Sequence, residues 1–125
     1  MNKNQLARLQ KVAELYRKAL LPKANFPKGK LVWHHQKDSG SKMKVTQASS
    51  CKKAFEEIES GLCIPVTMKE HNGIHLPAKS QKWGPCNYNK NAKVPKFDKV
   101  KFRKVVDLVM SKRTIKEVKE IHDFQ

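Results

Sequence analysis

From Asn4 onward apolar residues recur at three- and four-residue steps, with Leu6, Leu9, Val12, Ala13, Tyr16, Ala19 and Leu20 on one side and Lys11, Glu14, Arg17 and Lys18 on the other. That period predicts an amphipathic helix over about 4–21, stopped by Pro22. Pro22, Pro27 and Gly29 around Asn25 then read as a connecting loop. The pattern next shortens towards a period of two. Leu31, Val32 and Trp33 favour strand, Met43 and Val45 alternate with polar neighbours, and Asp38-Ser39-Gly40-Ser41 between them supplies turn residues. The expectation is a β-hairpin with its second strand at 42–46. Adjacent strand residues face opposite ways, so His34 and His35, which close the first strand, can share a site only where that strand is ending.

Ser50 is placed to cap a short helix with Ala54, Phe55 and Ile58 on its apolar side and Gly61 as its terminator. Its Glu56, Glu57 and Glu59 read as a solvated face, having no histidine at helical spacing. Leu62-Cys63-Ile64-Pro65-Val66 is a brief apolar run that Pro65 restricts to an edge strand or a bulge. Thr67 with Glu70 forms a capping box, and a helix starting there puts His71 and His75 at i and i+4 on one face. Gly73 weakens that helix by about 1 kcal/mol relative to alanine. Residues 76–95 read as an extended segment rich in Pro and Asn. Phe102, Val105, Val106 and Val109 predict a helix over about 97–110, and a second capping box, Thr114 with Glu117, opens another before Ile115, Val118 and Ile121. The fold class expected is α+β. It consists of one domain over 1–125, with a hairpin-and-helix core at about 28–76, a helix before it, and a basic helical region at about 96–123 after it.

Charge changes the picture. Against 11 Asp and Glu the chain carries 27 Lys and Arg, a formal net charge of +16 that must repel itself in the folded state. A polyanionic partner explains the excess, nucleic acid first, then an acidic protein or an anionic membrane surface. Between Lys79 and Lys104 there are nine Lys or Arg and one acid, Asp98, with Trp83 and Tyr88 interleaved, a mixture that grips phosphates and stacks on bases. Lys37, Lys79, Lys82, Trp83, Lys90 and Lys93 are the candidate nucleic-acid-binding residues. No apolar run is long enough to span a membrane and the first twenty residues are not patterned as a signal peptide. A monomer without membrane insertion is expected. Cys51, Cys63 and Cys86, odd in number and irregularly spaced, read as reduced, buried thiols ahead of one disulfide with a thiol left over.

Four of the five histidines lie in two short segments, as the His34-His35 pair and as His71-x3-His75. Three neutral imidazoles can hold one divalent ion and leave coordination positions open for phosphate oxygens, while a fourth histidine beside them takes a proton at neutral pH. Such a group is suited to phosphodiester hydrolysis. A structural zinc site of Cys63, Cys86, His71 and His75 is the competing arrangement, though its cysteines lack the short paired spacing of zinc modules.

Leu31-Val32-Trp33-His34-His35, then Gly40 and Met43-Lys44-Val45, resembles the Trp-His-His subgroup of HNH nucleases, which have the ββα-metal (His-Me finger) fold. The stretch from Val66 to His75 is similar to the closing helix of the DNase colicins and pyocins. Matched residues cover about a quarter of the chain. The resemblance implies a metal-dependent endonuclease with His35 as general base and His34, His71 and His75 as ligands to one ion (Mg²⁺, Mn²⁺, Ni²⁺ or Zn²⁺), acting on DNA ahead of RNA. It further implies a bacterial toxin or effector domain, delivered by a secretion system to the target-cell cytoplasm and held in check by an acidic immunity protein. The family's middle Asn has no counterpart in 60–66, and the helix beginning near Ser50 is expected as an insertion between hairpin and closing helix. The alternative of another class is a non-enzymatic basic nucleic-acid-binding protein, such as a ribonucleoprotein component, with structural histidines.

Overall fold

A computed structural model describes residues 1–22, 26, 29–36, 44–75 and 94–123. The first element is α1, Lys3–Leu20, opened by a capping box in which Asn2 and Gln5 exchange side-chain and backbone hydrogen bonds. Its buried side chains are Leu9, Val12, Ala13, Leu15, Tyr16 and Arg17. Arg17 is the exception to the predicted polar side, being only 2% exposed. It follows Leu9 and Ala13 at eight and four residues, so helical geometry puts it on the buried face whatever its charge.

The strand β1, Leu31–His34, pairs antiparallel with β2, Ile64–Thr67, in the register Leu31↔Thr67, Val32↔Val66, Trp33↔Pro65 and His34↔Ile64. This corrects the expected hairpin. Val45 and Thr46, assigned to its second strand, fall in a single 3₁₀ turn, Val45–Gln47, and the true partner of β1 begins thirty residues after its last residue. The intervening helix α2, Cys51–Gly61, is therefore an insertion between the two strands and not between hairpin and helix. Ser50 caps it as expected, but the left-handed residue at its end is Leu62 (φ 50°), with Gly61 still inside the helix. Pro65 is accommodated because a two-stranded sheet consists only of edges.

Directly after β2 comes α3, Met68–Ile74, with the Thr67 and Glu70 capping box fully formed. Helices α4, Lys99–Met110, and α5, Ile115–Lys119, complete the described chain, the latter opened by Thr114 and Glu117 as predicted. An α+β arrangement of two antiparallel strands and several helices results.

The sheet divides two apolar clusters. On one face Trp33 packs edge-on to Phe102, its ring centroid 6.4 Å away, at the border of a helical core built from α1, α2, α4 and α5. Phe102 is the hub of that core, touching Tyr16, Phe55 and Phe97 at centroid separations of 5.7, 6.0 and 5.5 Å. On the other face Ile64 and Val66 pack against Ile74 of α3, with Val32 beside them. The alternation of strand side chains thus sends Trp33 to the main core and Val32 and His34 to the face that carries α3. Among the described residues no helix is long and apolar enough to cross a membrane.

Candidate metal centre

His34 closes β1 opposite Ile64, and His35 is the first residue beyond the strand. The irregular position required for the two to share a site is therefore present. Its backbone continues into Gln36, whose side-chain amide donates to the Leu62 carbonyl at 2.8 Å. That bond ties the exit of β1 to the end of α2.

His71 and His75, one helical turn apart, approach from α3. Their Nε2 atoms are 3.1 Å from each other, and the His34 ring lies 5.3 Å from His71 and 5.1 Å from His75 between centroids. One nitrogen from each of the three rings falls within 4.8 Å of the other two. Two imidazole nitrogens bound to one zinc-like ion at about 2.1 Å stand roughly 3–3.4 Å apart, which the His71 and His75 pair already satisfies. The donor set fits a divalent ion of intermediate softness, and three protein nitrogens leave coordination positions open.

The electrostatics favour the neutral, ligating form. Burial, reinforced by the neighbouring charges of His71, His75 and His35, lowers the His34 pKa to about 4. His71 is lowered by burial and then by His75 and His35, and His75 by burial. All three rings therefore keep free electron pairs at neutral pH. His35 is close enough to act on two of them electrostatically, while the three-nitrogen cluster does not include it.

The centre opens into a cleft of about 1130 Å³, bounded by His35, Lys30, Lys44, Trp33, Met68 and the N-terminal half of α1. Lys37, Lys79, Lys82, Trp83, Lys90 and Lys93 lie outside the described residues, as do Tyr88 and Cys86. Cys51 and Cys63 are both buried. Cys63 belongs to the helical core and not to the histidine cluster, against the structural-zinc arrangement. Of the acids of α2, Glu56 is exposed and Glu59 is engaged by Arg103 across the surface. His122 is exposed and is not part of the three-nitrogen cluster.

Behind the centre the sequence pattern did not single out Arg17. One of its terminal nitrogens donates to the Pro65 carbonyl at 2.8 Å and the other to a carboxylate oxygen of Glu70. The second oxygen of Glu70 accepts from the Thr67 backbone N–H at 2.9 Å. The available signal was helical phase, since Arg17 shares a face with Leu9 and Ala13. No protein-family model, curated protein or solved structure matches this chain.

Proposed function

We propose that the chain is a metal-dependent endonuclease of the HNH, ββα-metal type, hydrolysing phosphodiester bonds of nucleic acid, DNA ahead of RNA. The observation that carries this reading is the convergence of His34, from the end of one strand, with His71 and His75, from the helix that follows its antiparallel partner. Strand, antiparallel strand and helix in that order, with histidines at those positions, are what the Trp-His-His resemblance calls for. The long connection between the strands is compatible with it, because only the pairing register and the helix phase decide where the rings meet.

His34, His71 and His75 would hold the ion, which when bound supplies positive charge against the phosphate and the leaving oxygen. His35 takes a proton from the attacking water at its unprotonated ring nitrogen, a role that contributes typically 10²–10⁴-fold. Lys30 and Lys44 at the cleft, with the wider excess of +16, attract the phosphate backbone. As a toxin or effector domain delivered into a target cell, such a protein would be neutralised by an acidic immunity protein whose surface complements that charge.

The deciding test is plasmid nicking with Mg²⁺, Mn²⁺, Ni²⁺ or Zn²⁺. Wild type is expected to nick with at least one of them, and His35→Ala to lose about 10²–10⁴-fold while still binding the metal. If wild type and variant both bind DNA and neither cuts DNA or RNA with any of the four ions, the protein is a basic nucleic-acid binder with structural histidines.

A further inference from the structure

We propose that Arg17 is a positioning residue for the metal centre, holding α3 at the angle that presents His71 and His75 to His34. The inference rests on the metal-centre reading above. A seven-residue helix containing Gly73 cannot set its own orientation, because helices this short have little intrinsic stability. Something outside α3 must do so.

Arg17 and His34 are the two buried polar side chains among the described residues, and of the two only Arg17 carries a charge at neutral pH. Its guanidinium forks across the strand-to-helix junction. One nitrogen donates to Pro65, two residues before the helix cap, and the other to Glu70, three residues after it. Glu70 is at once the capping-box acid, accepting from the Thr67 N–H, and the immediate neighbour of His71. One rigid planar group from α1 therefore fixes both β2, at Pro65, and the first turn of α3, at Glu70, and through them the direction of the helix.

The arrangement is a poor device for stability alone. The Arg17 Nε is buried without a hydrogen-bond partner among the described residues, and Glu70 on the other side of the ion pair is 39% exposed, so the buried guanidinium recovers little of what its desolvation costs. Its planar two-point fork does define direction, which a methionine of similar length would not. Groups that hold metal ligands in place from behind cost about 10–100-fold in affinity when removed.

The experiment measures Zn²⁺ affinity by competition titration and the visible spectrum of the Co²⁺-loaded protein. The proteins compared are wild type, Arg17→Met, Arg17→Lys, Glu70→Gln and the Arg17→Met/Glu70→Gln double variant, with Val105→Ala as a control weakened in the core. Expected are about 10–100-fold weaker Zn²⁺ binding and an altered Co²⁺ spectrum for Arg17→Met and Glu70→Gln. The double variant should be no worse than either single one, as for residues acting through one contact. Arg17→Lys should recover only part of the loss, and Val105→Ala should bind Zn²⁺ as wild type does despite its lower melting temperature. Zn²⁺ affinity within about twofold of wild type and an unchanged Co²⁺ spectrum in both single variants overturn the positioning role while leaving the metal centre intact. A wild type that binds neither ion overturns the metal centre and this role with it. If Arg17→Met does not fold, Glu70→Gln decides by the same criteria.

Discussion

Replacing His34 by leucine is expected to do opposite things to metal-free stability and to function, and acid makes the difference measurable. The ring is 2% exposed and its pKa is lowered to about 4 by burial and by three neighbouring histidines, against an unfolded value near 6.5. Above about pH 6.5 both states hold the neutral ring and the group adds no pH dependence. As pH falls from there towards 4 the unfolded chain binds a proton that the folded protein refuses, so stability is lost with acid. Evaluated at about pH 5, these two pKa values correspond to roughly 2 kcal/mol lost relative to about pH 7.5, or on the order of 8 °C in melting temperature for a chain of this size.

Leucine has nearly the volume of histidine and nothing to protonate. In chelator, His34→Leu should stay within about 1.5 kcal/mol of wild type near pH 7.5 and gain about 2 kcal/mol on it near pH 5. The assay is urea denaturation followed by circular dichroism at the two pH values. Carboxylates and the remaining histidines titrate in both proteins, so the difference between the two pH responses isolates His34. Equal acid responses of wild type and variant would show that His34 is not held neutral among its neighbours, and the electrostatic account of the centre would fail.

Three further outcomes can be checked separately. Zn²⁺ or Ni²⁺ at about a hundred times its dissociation constant should stabilise wild type by about 2.7 kcal/mol in thermal scans, and His71→Ala or His75→Ala should remove that shift; its persistence in both would place the ion elsewhere. Arg8 donates to the carbonyls of Val109 and Lys112 at 2.8 and 2.7 Å, closing the end of α4, so Arg8→Ala should cost about 2 kcal/mol in urea denaturation, with the dependence on urea unchanged. Leu62 sits at φ 50° with 44% of its surface exposed, and Leu62→Gly should raise stability by about 0.5–1 kcal/mol, as relief of the left-handed conformation outweighs the flexibility glycine adds to the unfolded chain; a lower urea midpoint would contradict this.

What was legible in the chain was whatever is encoded locally. The helices α1, α2, α4 and α5 follow from apolar spacing, and the boxes at Thr67 with Glu70 and Thr114 with Glu117 mark starts that the structure reproduces. His71 and His75 share a face because four residues is about one helical turn. What could not be read locally was pairing. Asp38 to Ser41 offered a tight turn, and a neighbouring alternation at Met43 and Val45 supplied an apparent partner strand, whereas β2 pairs with β1 across a connection containing a complete helix. Arg17 was hidden for another reason. Its charge argued for the surface, and only Glu70 and Pro65, some fifty residues away, make its burial tolerable.

Site and core depend on the same register. His34 pairs with Ile64, at the opposite end of β2 from the residue that starts α3. The chain therefore travels roughly 10 Å along β2 and must return over the sheet by about the same distance, which at 1.5 Å per residue brings it back between His71 and His75. Ile74 packing on Ile64 and Val66 is the apolar contact that holds α3 against that face, alongside the polar contacts of Arg17 at its start. A slip of one residue would exchange the faces of Trp33 and His34, putting an imidazole beside Phe102 and an indole among the histidines. Nothing in this geometry depends on the length of the chain between the strands. That segment is free to contribute α2, with Ala54, Phe55 and Ile58, to the opposite side of the sheet. Substitutions that loosen the helical core should thus spare the histidine cluster until the pairing of β1 with β2 itself gives way, and from that point folding and metal binding should be lost together.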